Sequence, residues 1–276
     1  MDSQFTYMGE DYSFMHEDRT KKPRQRGLTM AEGAMFQIEG EHYVEDLCQY
    51  IGPYIDLYKF AYGAFALEPP ELLQSKLMMF DEHDITAFPG GITVEAAFHE
   101  GCTTRYMEHL RDVGIPGIEI SSTVVDMAPE EKMELIERAD ELGFYVISEI
   151  GKKAVRENVD EGIDIGDAVD ELQQSLDAGA DMTIFEMQEV ESQIRDEESS
   201  DKAVEVVDAI VDNVGIENVI FEVPFGDYYD VLGTTWWFID TVGKEVNLGN
   251  VNPEYIMPLE QQRRKMGTFS FSNRVS

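Results

Sequence analysis

Four apolar runs in this chain end at or next to a glutamate, and they recur at nearly even intervals. They are Gly117-Ile-Glu119-Ile, Tyr145-Val-Ile-Ser-Glu149-Ile, Met182-Thr-Ile-Phe-Glu186 and Asn218-Val-Ile-Phe-Glu222-Val, with successive glutamates 30, 37 and 36 positions apart. Each run has the β-branched and aromatic content of a buried strand and is too short to be a helix. The interval suits one strand plus one helix, so the recurrence predicts strands alternating with helices in a parallel sheet. Packing alone does not require a carboxylate at the end of four successive strands. In a (β/α)8 barrel the carboxyl ends of all strands meet on one face, where catalytic side chains collect. The expected fold is therefore α/β, a single (β/α)8 barrel. A doubly wound open sheet is the alternative, but no Gly-x-Gly-x-x-Gly or Walker sequence supports it.

The remaining strands read at 27–30, 54–60, 85–91 and 245–251. Helices read at 43–50, 70–81, 93–111, from Pro129 onward, at 165–178, and along the face Ala203, Val207, Ile210 and Val214. Pro253 begins a last helix, which carries Arg263 and Arg264 near its end. Residues 1–25 read as a tail whose end approaches the fold, 26–266 as the barrel domain and 267–276 as a C-terminal tail. The polar stretch 189–200 is expected to be a loop above the sixth strand, either a functional lid or a solvated insertion.

The candidate site follows from the strand ends. Gly151 leads from the fifth strand into Lys152 and Lys153, one of which can face the barrel axis. Lys59, near the end of the second strand, either snorkels to solvent or points inward, and the loop glycine Gly63 just beyond favours the site. Gly90 and Gly91 close the third strand in a turn that brings amides toward a ligand or only makes the turn. Asn247 is placed on the eighth strand. Glu119, Glu149, Glu186 and Glu222 in one bowl repel each other unless cations compensate, and a hard divalent ion such as Mg2+ would do so. The alternative is that some of these glutamates bond backbone amides or pair with Lys59 and Lys153, with no metal.

Charge sets the context. Acidic residues number 56 against 21 basic, a formal charge of -35, which disfavours nucleic acid and anionic membranes as partners. Halophile proteins exploit self-repulsion of this size, so a salt-rich cytoplasm is the expected setting, with an ordinary acidic protein as the alternative. Cys48 and Cys102 form no ligand spacing. No signal-like segment or membrane-length apolar run is present in the sequence, so the expected location is cytoplasmic. A homo-oligomer is left open, and Trp236 and Trp237 read as core or interface.

At Arg26-Gly-Leu-Thr-Met30, Tyr58-Lys-Phe60, Phe88-Pro-Gly-Gly91, Glu119-Ile-Ser121, Ser148-Glu-Ile-Gly-Lys-Lys153, Ile220-Phe-Glu-Val-Pro224 and Val246-Asn-Leu-Gly-Asn250, the chain resembles the phosphosulfolactate synthase family. With the acidic charge, the resemblance points to a haloarchaeal member. It implies a TIM-type barrel that uses Mg2+ to add sulfite to phosphoenolpyruvate, an early step towards coenzyme M. It further implies Lys153 as general acid, with Lys59 and Glu149 in the catalytic set. Glu119, Glu186 and Glu222 would hold metal, while Lys152, Gly90, Gly91, Asn247, Arg263 and Arg264 would contact small anionic substrates. The sequence departs where the family has Gly-Arg-Glu-Ser after the sixth strand, since here Met187-Gln-Glu-Val follows Glu186, and Arg195 would have to replace the missing arginine. The depleted anion pocket supports the alternative, a non-catalytic barrel with a stress-associated or interaction role, and a related enol-phosphate enzyme with another substrate is also left open.

Overall fold

The computed structural model describes residues 6–7, 10–11, 19–33, 39–151, 164–186, 194, 200–223 and 226–266. Eight parallel strands build the barrel: β1 (Thr29–Gly33), β2 (Leu57–Phe60), β3 (Thr86–Pro89), β4 (Gly117–Ile120), β5 (Tyr145–Ile150), β6 (Met182–Phe185), β7 (Val219–Glu222) and β8 (Leu248–Val251). Their hydrogen-bonded order is β3-β2-β1-β8-β7-β6-β5-β4, so the first and last strands pair and the ring is continuous except at the β3–β4 seam. There a Cβ on Gly117 would lie 3.0 Å from Phe88 Cβ and 3.3 Å from the Ala87 carbonyl oxygen. Lacking one, Gly117 lets the two strands abut. A two-residue antiparallel pair, Thr6–Tyr7 with Glu10–Asp11, lies outside the ring.

The helices are α1 (Glu41–Tyr50), α2 (Pro70–Glu82), α3 (Ile92–His99), α4 (Thr103–Val113), α5 (Pro129–Glu141), α6 (Ile165–Asp177), α7 (Ser200–Val214), α8 (Tyr228–Thr241) and α9 (Pro253–Arg263). The single helix expected over 93–111 is two, because Gly101 takes a left-handed backbone at φ +64° and ends the first. The eighth strand is shorter than expected and begins only at Leu248. Between sheet and helices lies the larger core, including Val44, Leu110, Ile136, Leu172, Ile210 and Phe238.

A second apolar cluster plugs the barrel itself. Met30, Phe88, Ile147 and Ile220 come from odd-numbered strands, and Leu57, Met182 and Ile184 from even ones. Side chains on a strand return to the same face every second residue. The next inward position beyond Met30, Leu57, Ile147, Ile184 and Ile220 is therefore Glu32, Lys59, Glu149, Glu186 and Glu222. On β4, Glu119 stands two beyond the seam glycine, Gly117. One rule of alternation thus carries the barrel axis from an apolar plug to a ring of ionisable side chains at the carboxyl end.

The opposite end is closed by the segment before β1. Arg19 is buried, contacts Glu260 at 3.1 Å and donates to the Gly27 carbonyl at 2.9 Å. Arg24 pairs with Asp56 at 2.9 Å, and Asp56 in turn accepts the Thr29 N–H. Lys22 donates to the carbonyls of Gly52, Ile55 and His83. The packed unit thus includes residues before position 26, the boundary suggested by the sequence.

Candidate active site

Lys59 is the hub of the carboxyl-end face. Its Nζ lies 3.0 Å from Glu119 Oε2 and 2.9 Å from Glu222 Oε1, and donates to Asn250 Oδ1 at 3.3 Å. Only 3% of the residue is exposed, so it points inward and does not snorkel. Burial alone would push the ammonium toward neutrality. The carboxylates of Glu119, Glu222, Glu149 and Glu32 outweigh that and hold Lys59 well above its ordinary value. Room for its stem comes from Gly90, where a Cβ would stand 3.2 Å from Lys59 Cε.

Glu119 is fixed from two sides. Its Oε2 faces Lys59, and its Oε1 accepts the Gly91 N–H at 2.6 Å. A Cβ on Gly91 would fall 2.2 Å from Ser121 Oγ and 2.8 Å from Glu119 Oε1, so only glycine fits there. The third-strand turn therefore supplies an amide, and this amide meets a protein carboxylate.

Glu149, Glu186 and Glu222 bring ligand oxygens to within 4.8 Å of one another, all three buried. Carboxylate oxygens so grouped are the donor set a hard cation takes. Of the metal set expected from the resemblance, Glu186 and Glu222 are in this group. Glu119 is not, because its two oxygens face Gly91 and Lys59, and Glu149 stands in its place. Lys132, buried on α5, donates to the Glu149 carbonyl at 2.7 Å and to Glu171 at 2.7 Å, and so braces β5 from outside the barrel.

Three expected substrate contacts lie at the other end. Asn247 precedes β8, where its amide donates to the carbonyls of Ile216 and Val219 and accepts the Leu28 N–H. Arg263 is fully buried and donates to the carbonyls of Lys244, Val246 and Leu28. Arg264 donates to Glu260 at 2.8 Å and lies over the Tyr54 ring. The cause is topological: a barrel helix returns antiparallel to its strand, so the carboxyl end of α9 reaches the amino end of the barrel. Lys152, Lys153 and Arg195 lie outside the described residues.

Asn250 joins the site without having been expected there. Its φ of +54° accompanies a register shift in β8. The sequence signal was present in Gly249-Asn250, since asparagine is among the few non-glycine residues that accept a left-handed backbone.

A (β/α)8 barrel with buried carboxylates and an ammonium gathered at the strands' carboxyl ends defines a barrel enzyme, and the comparisons say of which kind. Residues 17–268 match the family of (2R)-phospho-3-sulfolactate synthase. The phosphosulfolactate synthase of Methanothermobacter thermautotrophicus is 31% identical over 255 residues, covering 92% of this chain and 94% of that one. That of Methanocaldococcus jannaschii is 32% identical, covering 92% and 95%. The Arabidopsis thaliana protein HEAT-STRESS-ASSOCIATED 32 is 23% identical, covering 89% and 88%. Among solved structures, the carboxyl transferase domain of Rhizobium etli pyruvate carboxylase superposes with a TM-score of 0.54 at 9% identity, over 92% of this chain and 46% of that one, a likeness of fold. The chain belongs to the phosphosulfolactate synthase family of enzymes. None of the described helices is long and apolar enough to cross a membrane.

Proposed function

We propose that this enzyme adds sulfite to phosphoenolpyruvate to give phosphosulfolactate, with Mg2+ at Glu149, Glu186 and Glu222. The observation that carries this reading is the convergence of those three buried carboxylates within 4.8 Å, beside a lysine already committed to Glu119 and Glu222. Glu222 Oε2 accepts no hydrogen bond among the described residues, which suits a group that faces a cation. Bound there, the ion would supply Lewis-acid polarisation of the substrate carboxylate.

The chain's own residues account for the rest. Lys59 is held protonated and immobile, so it offers a fixed positive charge to an anion entering the face. Sulfite's lone pair forms the carbon–sulfur bond at the methylene of the enol phosphate, and the displaced π electrons move toward the carboxylate. A proton must then reach the adjacent carbon, a role we assign to Lys153 as general acid. Arg195 is assigned to the phosphate or the sulfonate, for which a guanidinium is the fitting partner.

The test is to incubate the protein with phosphoenolpyruvate, sulfite and Mg2+, and to follow the product by mass and phosphorus NMR with and without chelator. Formation of phosphosulfolactate that stops on chelation is expected. Uptake of Mg2+ with no reaction of either substrate would sink the assignment.

A further inference from the structure

Glu95, in the first turn of α3, belongs to neither the Lys59 pairings nor the three-carboxylate group, yet it is fully buried. Its two oxygens accept five hydrogen bonds, all from residues 121–125 beyond β4. Ser121 Oγ, Thr123 N–H and Thr123 Oγ1 reach Oε1 at 2.5, 2.9 and 3.0 Å, and the N–H groups of Val124 and Val125 reach Oε2 at 2.8 and 2.5 Å. Burial raises the carboxyl, but the hydrogen bonds from Ser121 and the three amides outweigh it and leave Glu95 below its ordinary value. So many donors from one segment onto one carboxylate form a clamp between α3 and the β4 exit.

That clamp borders the site. Gly91, immediately before α3, donates to Glu119, and Ser121 Oγ occupies the space where a Gly91 Cβ would be. Gly91 thus joins the two, donating to Glu119 on β4 and lying against Ser121 just beyond that strand. We propose that Glu95 is a positioning residue, fixing residues 121–125 against α3 and so seating the Glu119 carboxylate on the Gly91 N–H and the Lys59 ammonium. Its effect on turnover rests on the reaction proposed above, whereas its effect on geometry does not.

Glu95→Gln preserves shape but turns an amide NH2 toward backbone N–H donors, so part of the clamp must open. Amide exchange should rise about tenfold or more at Thr123, Val124 and Val125, and also at Gly91, whose N–H is held by Glu119 and which abuts Ser121 of the clamp. Ser121→Ala, which removes one bond from the loop side and leaves α3 intact, should move Gly91 in the same direction by less. Should Glu95→Gln not fold, Ser121→Ala and Thr123→Val carry the same comparison. Unchanged exchange at Gly91 while residues 123–125 loosen would overturn the proposal and leave Glu95 a loop anchor. In the turnover assay, Glu95→Gln should lower kcat with little change in KM, and its effect should be non-additive with that of Glu119→Gln. Additive losses would also overturn it, whereas absence of turnover in the parent protein would count against the reaction and leave the exchange result standing.

Discussion

The Lys59 ammonium lies 3.0 Å from the Glu119 carboxylate inside the barrel, and neither side chain retains more than 4% exposure. A pair this deep repays desolvation only while both members are present. Lys59→Met should therefore cost about 3–5 kcal/mol of stability, since it leaves Glu119 and Glu222 buried without their ammonium. Lys59→Met combined with Glu119→Gln should recover part of the loss. Denaturant melts measure both, and a single variant as stable as the parent would show that the pair does not hold the barrel's carboxyl end.

The three-carboxylate group makes a separate prediction. Titration calorimetry should show Mg2+ affinity falling by about tenfold or more in each of Glu149→Gln, Glu186→Gln and Glu222→Gln. Glu119→Gln should change it far less, because Glu119 is held by Gly91 and Lys59. An equal loss at Glu119 would return the site to the ligand set expected from the resemblance.

Why the carboxyl-end face was legible in the sequence, and the opposite end was not, follows from the kind of signal each carries. Glu119, Glu149, Glu186 and Glu222 stand on strands, where a period of two and a repeated interval fix both face and height. Lys59 was legible for the same reason. Asn247, Arg263 and Arg264 were misplaced because their position depends on where a strand starts and which way a helix runs, and β8 begins one residue beyond Asn247. Glu95 gave no signal at all: its role comes from five donors in a loop more than two dozen residues downstream, contacts that no local pattern encodes. Which carboxylates group together is likewise a matter of tertiary geometry, so Glu149 could not be told from Glu119 by spacing.

Glu95 also predicts part of the acid limb of stability. Its carboxyl sits below the ordinary value of 4.5 in the folded protein, so the folded state binds the proton later than the unfolded one. The stabilisation is complete above the unfolded value and is lost as pH falls through the lower folded value. Melting temperatures should drop as pH falls below 4.5, and the drop should be shallower in Glu95→Gln. Parallel curves for the two proteins would remove Glu95 from the acid transition.

Salt should act on the whole chain. With 56 acidic and 21 basic residues, the surface repels itself over distances that molar salt cuts to about 3 Å. The melting temperature should climb steeply from 0.1 to 3 M KCl, those two values being about one and a half orders of magnitude apart in ionic strength. A flat series would leave the salt-adapted reading of the charge without support.

The arginines separate anion binding from architecture. Arg263 donates to three backbone carbonyls at the amino end of the barrel, so Arg263→Met removes three hydrogen bonds from a charged donor, each contributing about 1.5–3 kcal/mol. It should lower stability and leave phosphoenolpyruvate binding by the folded fraction unchanged. Arg195→Ala should do the reverse, because a guanidinium–phosphate contact contributes about 1.5–3 kcal/mol, or a ten- to hundredfold change in affinity. Calorimetry with phosphoenolpyruvate and Mg2+, beside a thermal melt of each variant, reads both quantities at once. If Arg263→Met weakens the ligand as much as Arg195→Ala does, the amino end of the barrel is coupled to the site in a way its hydrogen bonds do not explain. If Arg195→Ala binds like the parent protein, the phosphate is held by other groups, and the departure from the family's sequence after β6 has been compensated elsewhere in the barrel.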